Sequence, residues 1–211
     1  MRDRDSSNNR KRAKESIKCF EVAIISGAKK GKKILIPDIN TTRSSKTILR
    51  ESLFNTLQFD IIDKNFVEVF AGSGSIGLEA LSREAEHVYF IEKNKQVFGI
   101  LKSNISTMGM GNSTAILGDS FTEFAHVLEA IKRSEVPAYF YFDPPFAIRE
   151  GMDDIYEKSI SLIESIDPEL CEMVIVEHMS SMKMPDEIGL LSQTKQKKFG
   201  KSTLSYYKPK E

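Results

Sequence analysis

EVFAGSGSIGLEA, residues 68–80, sets Gly72, Gly74 and Gly77 in a complete GxGxxG between an apolar run at 66–70 and a segment of helical pattern. A strand that breaks into glycines and re-forms as a helix opens a nucleotide-binding βαβ unit. Without Cβ atoms the backbone turns tightly and comes close to a ligand. Glu92 closes the next apolar run, VYFIE, 20 residues beyond Gly72. A carboxylate there can accept both hydroxyl hydrogens of a ribose. Together these features predict a ribose-bearing ligand but not a reaction, because a nicotinamide-dependent oxidoreductase and a methyltransferase share them. Glu68, just upstream of the loop, suits a cationic group better than a pyrophosphate.

Outward from the loop, short apolar runs at 88–91, 114–117, 138–142 and 173–176 alternate with helix-like segments. Such alternation predicts βαβ units and a mainly parallel sheet, whose strands are covered on both faces and read as continuous apolar runs. AYFYF at 138–142 fits this closely. After Glu177 the helices stop, and two extended segments at about 190–199 and 202–207, separated by Gly200, predict a closing hairpin, although 186–196 reads almost as well as helix. The fold class is therefore α/β.

The run at 138–142 ends in Asp143-Pro144-Pro145-Phe146. In an open α/β sheet the first and fourth strands of the series flank the point where strand order reverses, and ligands sit beyond their carboxyl ends. The glycine loop and this tetrapeptide should face one cleft. An exocyclic base amine is a poor nucleophile because its lone pair is delocalised into the ring. A carboxylate on Asp143 and the carbonyl of Pro144 can each accept one amine hydrogen and draw the lone pair out of conjugation. The prolines fix φ and donate nothing to a ladder, and Phe146 can stack on an extruded base.

Toward the N-terminus, Phe20, Val22, Ile24 and Ile25, the turn glycines Gly27 and Gly31, and the run 34–36 predict a β-hairpin. Ser44 or Ser45 is placed to cap a helix carrying Ile48, Leu49, Leu53, Phe54 and Leu57 on one stripe, with Arg50 and Glu51 off it. Residues 1–17 form a polar tail, expected to be disordered. The expected organisation is thus a basic tail at 1–17, an RNA-facing hairpin and helix at 18–60, and a catalytic domain at 61–211.

Composition narrows the class. The net charge of zero hides an asymmetry: residues 1–50 hold 14 Lys or Arg against 5 Asp or Glu, and the rest of the chain 16 against 25. A basic segment on an acidic body suits a polyanion. No apolar run approaches the roughly 18 residues of a membrane span and the N-terminus is charged, so a cytoplasmic protein with no membrane partner is expected. Cys19 and Cys171 have neither CxxC spacing nor a nearby His pair, so no disulfide framework and no metal site is expected.

With these residues in hand, the chain resembles the bacterial 16S rRNA guanine-N2 methyltransferase family over roughly residues 20–208. The matching stretches are IISGAKKGKKILIP, TTRSSKTILRESLFN, VFAGSGSIGLEALSR, FIEKN, GDSF and FDPPF. The resemblance implies a Rossmann-like methyltransferase with a mostly parallel seven-stranded sheet and an antiparallel last hairpin, and S-adenosylmethionine as donor. It also implies a guanine of the small ribosomal subunit as target, reached by a monomer. Glu68, Gly72, Ser73, Gly74 and Glu92 would hold the methionine and ribose parts of the cofactor, with Asp119 and Ser120 by the adenine. Asp143, Pro144 and Phe146 would hold the target base, and Lys29, Lys30, Lys32, Lys33, Arg43 and Arg50 would contact the RNA or shape its entry. The chain departs from the family's usual Pro at Ser44, Asp at Thr47 and Asp at Glu68.

Overall fold

The structure, a computed structural model, describes residues 17–38, 43–145 and 154–210. Its first elements are the strands β1 (Cys19–Ala23) and β2 (Lys33–Pro37), an antiparallel pair, followed by α1 (Arg43–Leu57). The expected cap residues Ser44 and Ser45 fall inside the first turn of α1 rather than ahead of it. The alternating series follows as β3 (Asn65–Glu68), α2 (Ser75–Ser82), β4 (Val88–Glu92), α3 (Lys95–Met108), β5 (Ser113–Leu117), α4 (Ser120–Ser134), β6 (Ala138–Phe142), α5 (Ile155–Glu164) and β7 (Cys171–Met179). The chain closes with β8 (Glu187–Ile188), β9 (Leu191–Phe199) and β10 (Ser202–Pro209).

The main sheet has the order β5-β4-β3-β6-β7-β10-β9-β8. Strands β3 to β7 pair in parallel, and β8, β9 and β10 pair antiparallel. The expected seven strands are all present. The eighth, two-residue β8 is an addition that only covers the start of β9, too short to leave a periodic signal. The stretch whose helical or extended character the residues left open is extended through β8 and β9, because its partner β10 supplies a ladder along the whole of β9.

Each inner strand sends alternate side chains to two cores. Phe66, Phe90, Tyr139, Tyr141 and Ile175 join α1, α2, α3 and the hairpin residues Ile24 and Ile34 on one side. Val67, Ile91, Phe140, Phe142 and Val176 join α4 and α5 on the other. Burying all five side chains of AYFYF makes β6 the least replaceable strand, at about 1.5–3 kcal/mol for a large apolar side chain.

The hairpin and α1 share the first of these cores, so both elements pack against the sheet that carries the glycine loop. The hairpin is also tied by polar bonds. The buried carboxylate of Glu79 on α2 accepts from Ile25 N at 2.8 Å, Ser26 N at 3.0 Å and Arg83 Nε at 2.9 Å. Gly27, at φ +83°, lies against the end of α2, where a Cβ would stand 1.8 Å from Ser82 O. Glycine is required there by both conformation and space. On β2, the backbone of Leu35 exchanges two bonds of 2.8 Å with the Asn104 side chain of α3.

Candidate active site

β3 and β6 are neighbours, and the strand order reverses between them. The glycine loop leaves the carboxyl end of β3 and Asp143 follows the carboxyl end of β6, so both open into one cleft. That cleft is walled by Phe20, Val22, Ile36 and Pro37 of the hairpin, by Thr47 and Arg50 of α1, by the loop, and by Tyr141, Asp143 and Glu177.

The loop is shaped by packing below and left open above. Gly74 has φ +80°, and a Cβ on it would stand 2.4 Å from Leu101 Cδ1. No described residue comes within 4 Å of where a Cβ on Gly72 would be, which leaves that face open to a ligand among the described residues. Gly72 N donates to Glu92 Oε2 at 2.8 Å, and Asn94 N donates to Glu92 Oε1 at 2.6 Å. Burial pushes the Glu92 carboxyl up, and the amides of Asn94, Gly72 and Lys93 pull it back down. A carboxylate has about four acceptor sites, so two bonds to backbone leave capacity for ribose hydroxyls. The buried Ser73 is fixed through its carbonyl, which accepts from Asn104 Nδ2 at 2.9 Å.

Three expected cofactor residues also have structural roles. Buried Glu68 accepts from Gly77 N at 2.9 Å and Ile76 N at 3.3 Å, tying down the start of α2. Asp119 caps α4 by accepting from Phe121 N at 3.1 Å and pairs with Lys93 Nζ at 2.6 Å. Lys93 holds its carboxyl below the usual carboxylate range. The buried Ser120 hydroxyl donates to Val69 O, so its proton braces the exit of β3.

At the other side of the cleft Asp143 is half-buried, Pro144 buried and Pro145 exposed. Beneath them the Tyr141 hydroxyl donates to Glu177 Oε2 at 2.6 Å. Burial, then the charges of Glu177, Asp143 and Glu68, hold the Tyr141 phenol well above its ordinary pKa, so it stays a neutral donor. Among the described residues three carboxylates, Glu68, Asp143 and Glu177, therefore line the cleft, with Arg50 as the cation beside them.

Arg50 departs from its expected place. It is 3% exposed, and its Nη2 donates to Ala23 O at 2.8 Å. Burial lowers its pKa, against the favourable charges of Glu79, Glu51 and Glu68. The hairpin folds over the helix position that the stripe left outside, so Arg50 forms part of the cleft wall. The hairpin lysines are also not brought to the cleft. Their turn docks on the far end of α2, through Ala28 N to Ser82 O at 2.7 Å and Lys29 N to Ser82 Oγ at 2.9 Å. Eight helical residues separate that end from the glycine loop, about 12 Å at 1.5 Å per residue. Lys30, Lys32 and Lys33 are exposed, and Lys33 pairs with Glu21 at 2.8 Å. Phe146, the side chain of Arg43 and residues 1–16 lie outside the described residues.

Glu79, Asn104, Tyr141 and Glu177 were not singled out from the sequence. The only signal was a polar residue inside an apolar helix or strand pattern, and two of them, Tyr141 and Glu177, become partners only through the pairing of β6 with β7. No helix among the described residues is long and apolar enough to cross a membrane.

Sheet order, glycine loop and cleft define a Rossmann-like α/β methyltransferase. The family described as Conserved hypothetical protein 95 matches residues 22–208. Ribosomal RNA small subunit methyltransferase D of Escherichia coli K12 is 33% identical over 144 residues, 68% of this chain and 67% of that protein. The same protein of Haemophilus influenzae is 33% identical over 147 residues, 68% of this chain and 70% of its own length. The solved structure of yhhF from Escherichia coli superposes with a TM-score of 0.71 at 27% identity, covering 91% of this chain and 99% of that one. The chain belongs to this family of small-subunit ribosomal RNA methyltransferases.

Proposed function

We propose that this protein transfers a methyl group from S-adenosylmethionine to the exocyclic N2 amine of one guanine in 16S rRNA, within the small subunit or its assembly intermediate. The observation that carries the reading is the acidic cleft that Gly72, Ser73 and Asp143 line together, with Glu92 bonded to Gly72. S-adenosylmethionine brings a sulfonium and an ammonium, which Glu68, Asp143 and Glu177 attract. A dinucleotide brings a pyrophosphate, which the same carboxylates repel. An oxidoreductase is disfavoured on that ground.

The residues present fit the cofactor. Glu92 would accept the ribose hydroxyls, the open face of Gly72 would lie along the ribose and methionine part, and the α4 cap at Asp119 would border the adenine. The bound cofactor supplies an activated methyl on sulfur. Asp143 and the Pro144 carbonyl would accept the two amine hydrogens of the base, leaving the nitrogen lone pair to attack. Asp143 would stabilise the positive charge that develops on that nitrogen and would take its proton or release it to solvent. Tyr141 and Glu177 hold the floor beneath Asp143, so the acceptor is preorganised.

The test is a panel with purified protein and methyl-labelled S-adenosylmethionine on small subunits, free 16S rRNA, DNA and protein. Label recovered as N2-methylguanosine from rRNA is expected. Label on another acceptor, or binding of NAD in preference to S-adenosylmethionine, would overturn the proposal.

A further inference from the structure

The hairpin lysines sit a helix length from the cleft, which leaves open where phosphates flanking the target base would bind. Residues 188–210 contain six lysines and no Asp or Glu, within a body that is acidic beyond residue 50. Four of them, Lys195, Lys197, Lys198 and Lys201, gather at one end of the β9–β10 hairpin. The register says which end. Ser202 pairs with Phe199 and with Met179 at the carboxyl end of β7, and Phe142 pairs with Val176. The turn carrying Lys201 therefore lies at the same edge of the sheet as Asp143, on the side away from the glycine loop. Three inter-strand steps separate β9 from β6, about 14 Å at roughly 4.8 Å per step.

Among the described residues no acidic side chain pairs with this corner. None of the ion pairs among the described residues includes these four lysines. Lys195, Lys198 and Lys201 are exposed; Lys195 and Lys197 stand two apart on one face of β9 and Lys198 on the other, so the lysines flank both sides of the strand's edge. Among the described residues Lys197 Nζ donates to two hydroxyls on α1, Ser52 Oγ at 3.1 Å and Thr56 Oγ1 at 2.9 Å. Burial, and after it the neighbouring Lys195, push its pKa down. Beyond Ser192 β9 is an edge strand, and lysines on an edge discourage pairing with other chains. That purpose does not explain Lys201, which stands in the turn, or a cluster concentrated at the cleft end.

We infer that Lys195, Lys198 and Lys201, with Lys197 anchoring the strand to α1, form a phosphate-binding surface for RNA on the target-base side of the cleft. It rests on the rRNA reading above and supplies a polyanion contact at the carboxyl edge of the sheet, the edge from which Asp143 leaves β6, whereas the hairpin turn docks at the opposite end of α2. A folded RNA whose base enters over β6 would lay its neighbouring backbone across β7, β10 and β9. The contacts are to backbone, so they set position and affinity and carry no base preference.

The test compares Lys195→Gln/Lys198→Gln/Lys201→Gln with Lys29→Gln/Lys30→Gln/Lys32→Gln, each checked for unchanged thermal unfolding. Lys197 is left in place because it bonds α1. Affinity for purified small subunits, and for a 16S rRNA fragment, is measured across a salt series, with anionic lipid vesicles as a second polyanion. For each phosphate that is no longer neutralised, the slope of log affinity against log salt should fall by about 0.7 to 0.9. The β9–β10 triple should lose about two units of slope and about tenfold or more in affinity for RNA at low salt. Its S-adenosylmethionine affinity, and its turnover on saturating subunits, should stay within about twofold of wild type. An unchanged slope, a larger loss in the hairpin-turn triple, or a loss seen with vesicles but not RNA would overturn the inference. If the wild type methylates rRNA while the triple binds it normally, only this surface fails. If the wild type neither binds nor methylates rRNA, the functional reading fails with it.

Discussion

Removing the Glu79 carboxylate should release the hairpin from the catalytic unit. Glu79 is fully buried and accepts three bonds, from Ile25 N, Ser26 N and Arg83 Nε, at 2.8–3.0 Å. Glu79→Ala leaves two backbone donors and a mostly buried guanidinium without their acceptor. Breaking a buried charged pair by deleting one partner costs about 3–5 kcal/mol. A net value of about 1.5–3 kcal/mol for one bond to a charged group makes that total reasonable for three bonds sharing one carboxylate. Against a typical domain stability of about 5–15 kcal/mol the variant should still fold. Glu79→Gln keeps one acceptor oxygen and should lose about half as much. Urea unfolding gives the stability change, and hydrogen exchange at the Ile25 and Ser26 amides locates it. Because Phe20, Val22, Ile36 and Pro37 wall the cleft, ligand affinity should fall with hairpin order. A stability loss under about 1 kcal/mol in Glu79→Ala, with unchanged exchange at both amides, would refute this account of how the hairpin is held.

Glu92→Ala should weaken S-adenosylmethionine binding by about 1.5–3 kcal/mol, the scale of bonds to a charged group, and calorimetric titration showing unchanged affinity would remove Glu92 from the site. His178 gives a pH prediction. Its Nδ1 donates to Met179 O at 3.0 Å, its Nε2 lies 2.9 Å from Ser205 Oγ, and burial lowers its pKa below 6.5. The unfolded chain then binds the proton more readily than the folded one. Stability from the neutral ring is present above about pH 6.5 and is lost as pH falls toward the folded value, at no more than about 1.4 kcal/mol per pH unit. His87, also held low by burial, acts in the same direction. The difference between wild type and His178→Asn in unfolding between pH 5 and 7 isolates His178, and equal slopes would rule it out.

Much of this architecture was legible because local pattern and tertiary role coincide. AYFYF could only be a strand covered on both faces, and the spacing from Gly72 to Glu92 became a hydrogen bond. Elements whose role depends on distant partners were not legible. Arg50 lies off the apolar stripe of α1 and so reads as a surface residue, yet the carbonyl of Ala23, 27 residues earlier, gives it a buried partner. Glu79 reads as an ordinary helix glutamate until the hairpin turn is folded against it. The lysines at 29–33 precede the glycine loop by a long stretch of chain, and only the docking of their turn on Ser82 places them at the far end of α2. Glu68 suggested a ligand contact and also proves to fasten the loop, a role no spacing rule separates from binding.

The claim that Asp143 activates a guanine amine in this cleft is tested most directly by nucleoside mass spectrometry of 16S rRNA from cells lacking the gene, complemented with wild type, Asp143→Asn or Asp143→Ala. Wild type should restore one N2-methylguanosine. Asp143→Asn keeps an acceptor but loses the charge, and single-turnover transfer by the purified variant should be slower by about 10- to 1000-fold. Asp143→Ala should restore nothing while its S-adenosylmethionine affinity stays within a few-fold of wild type. Full modification by Asp143→Ala, or 16S rRNA with no missing N2-methylguanosine in the deletion strain, would contradict it.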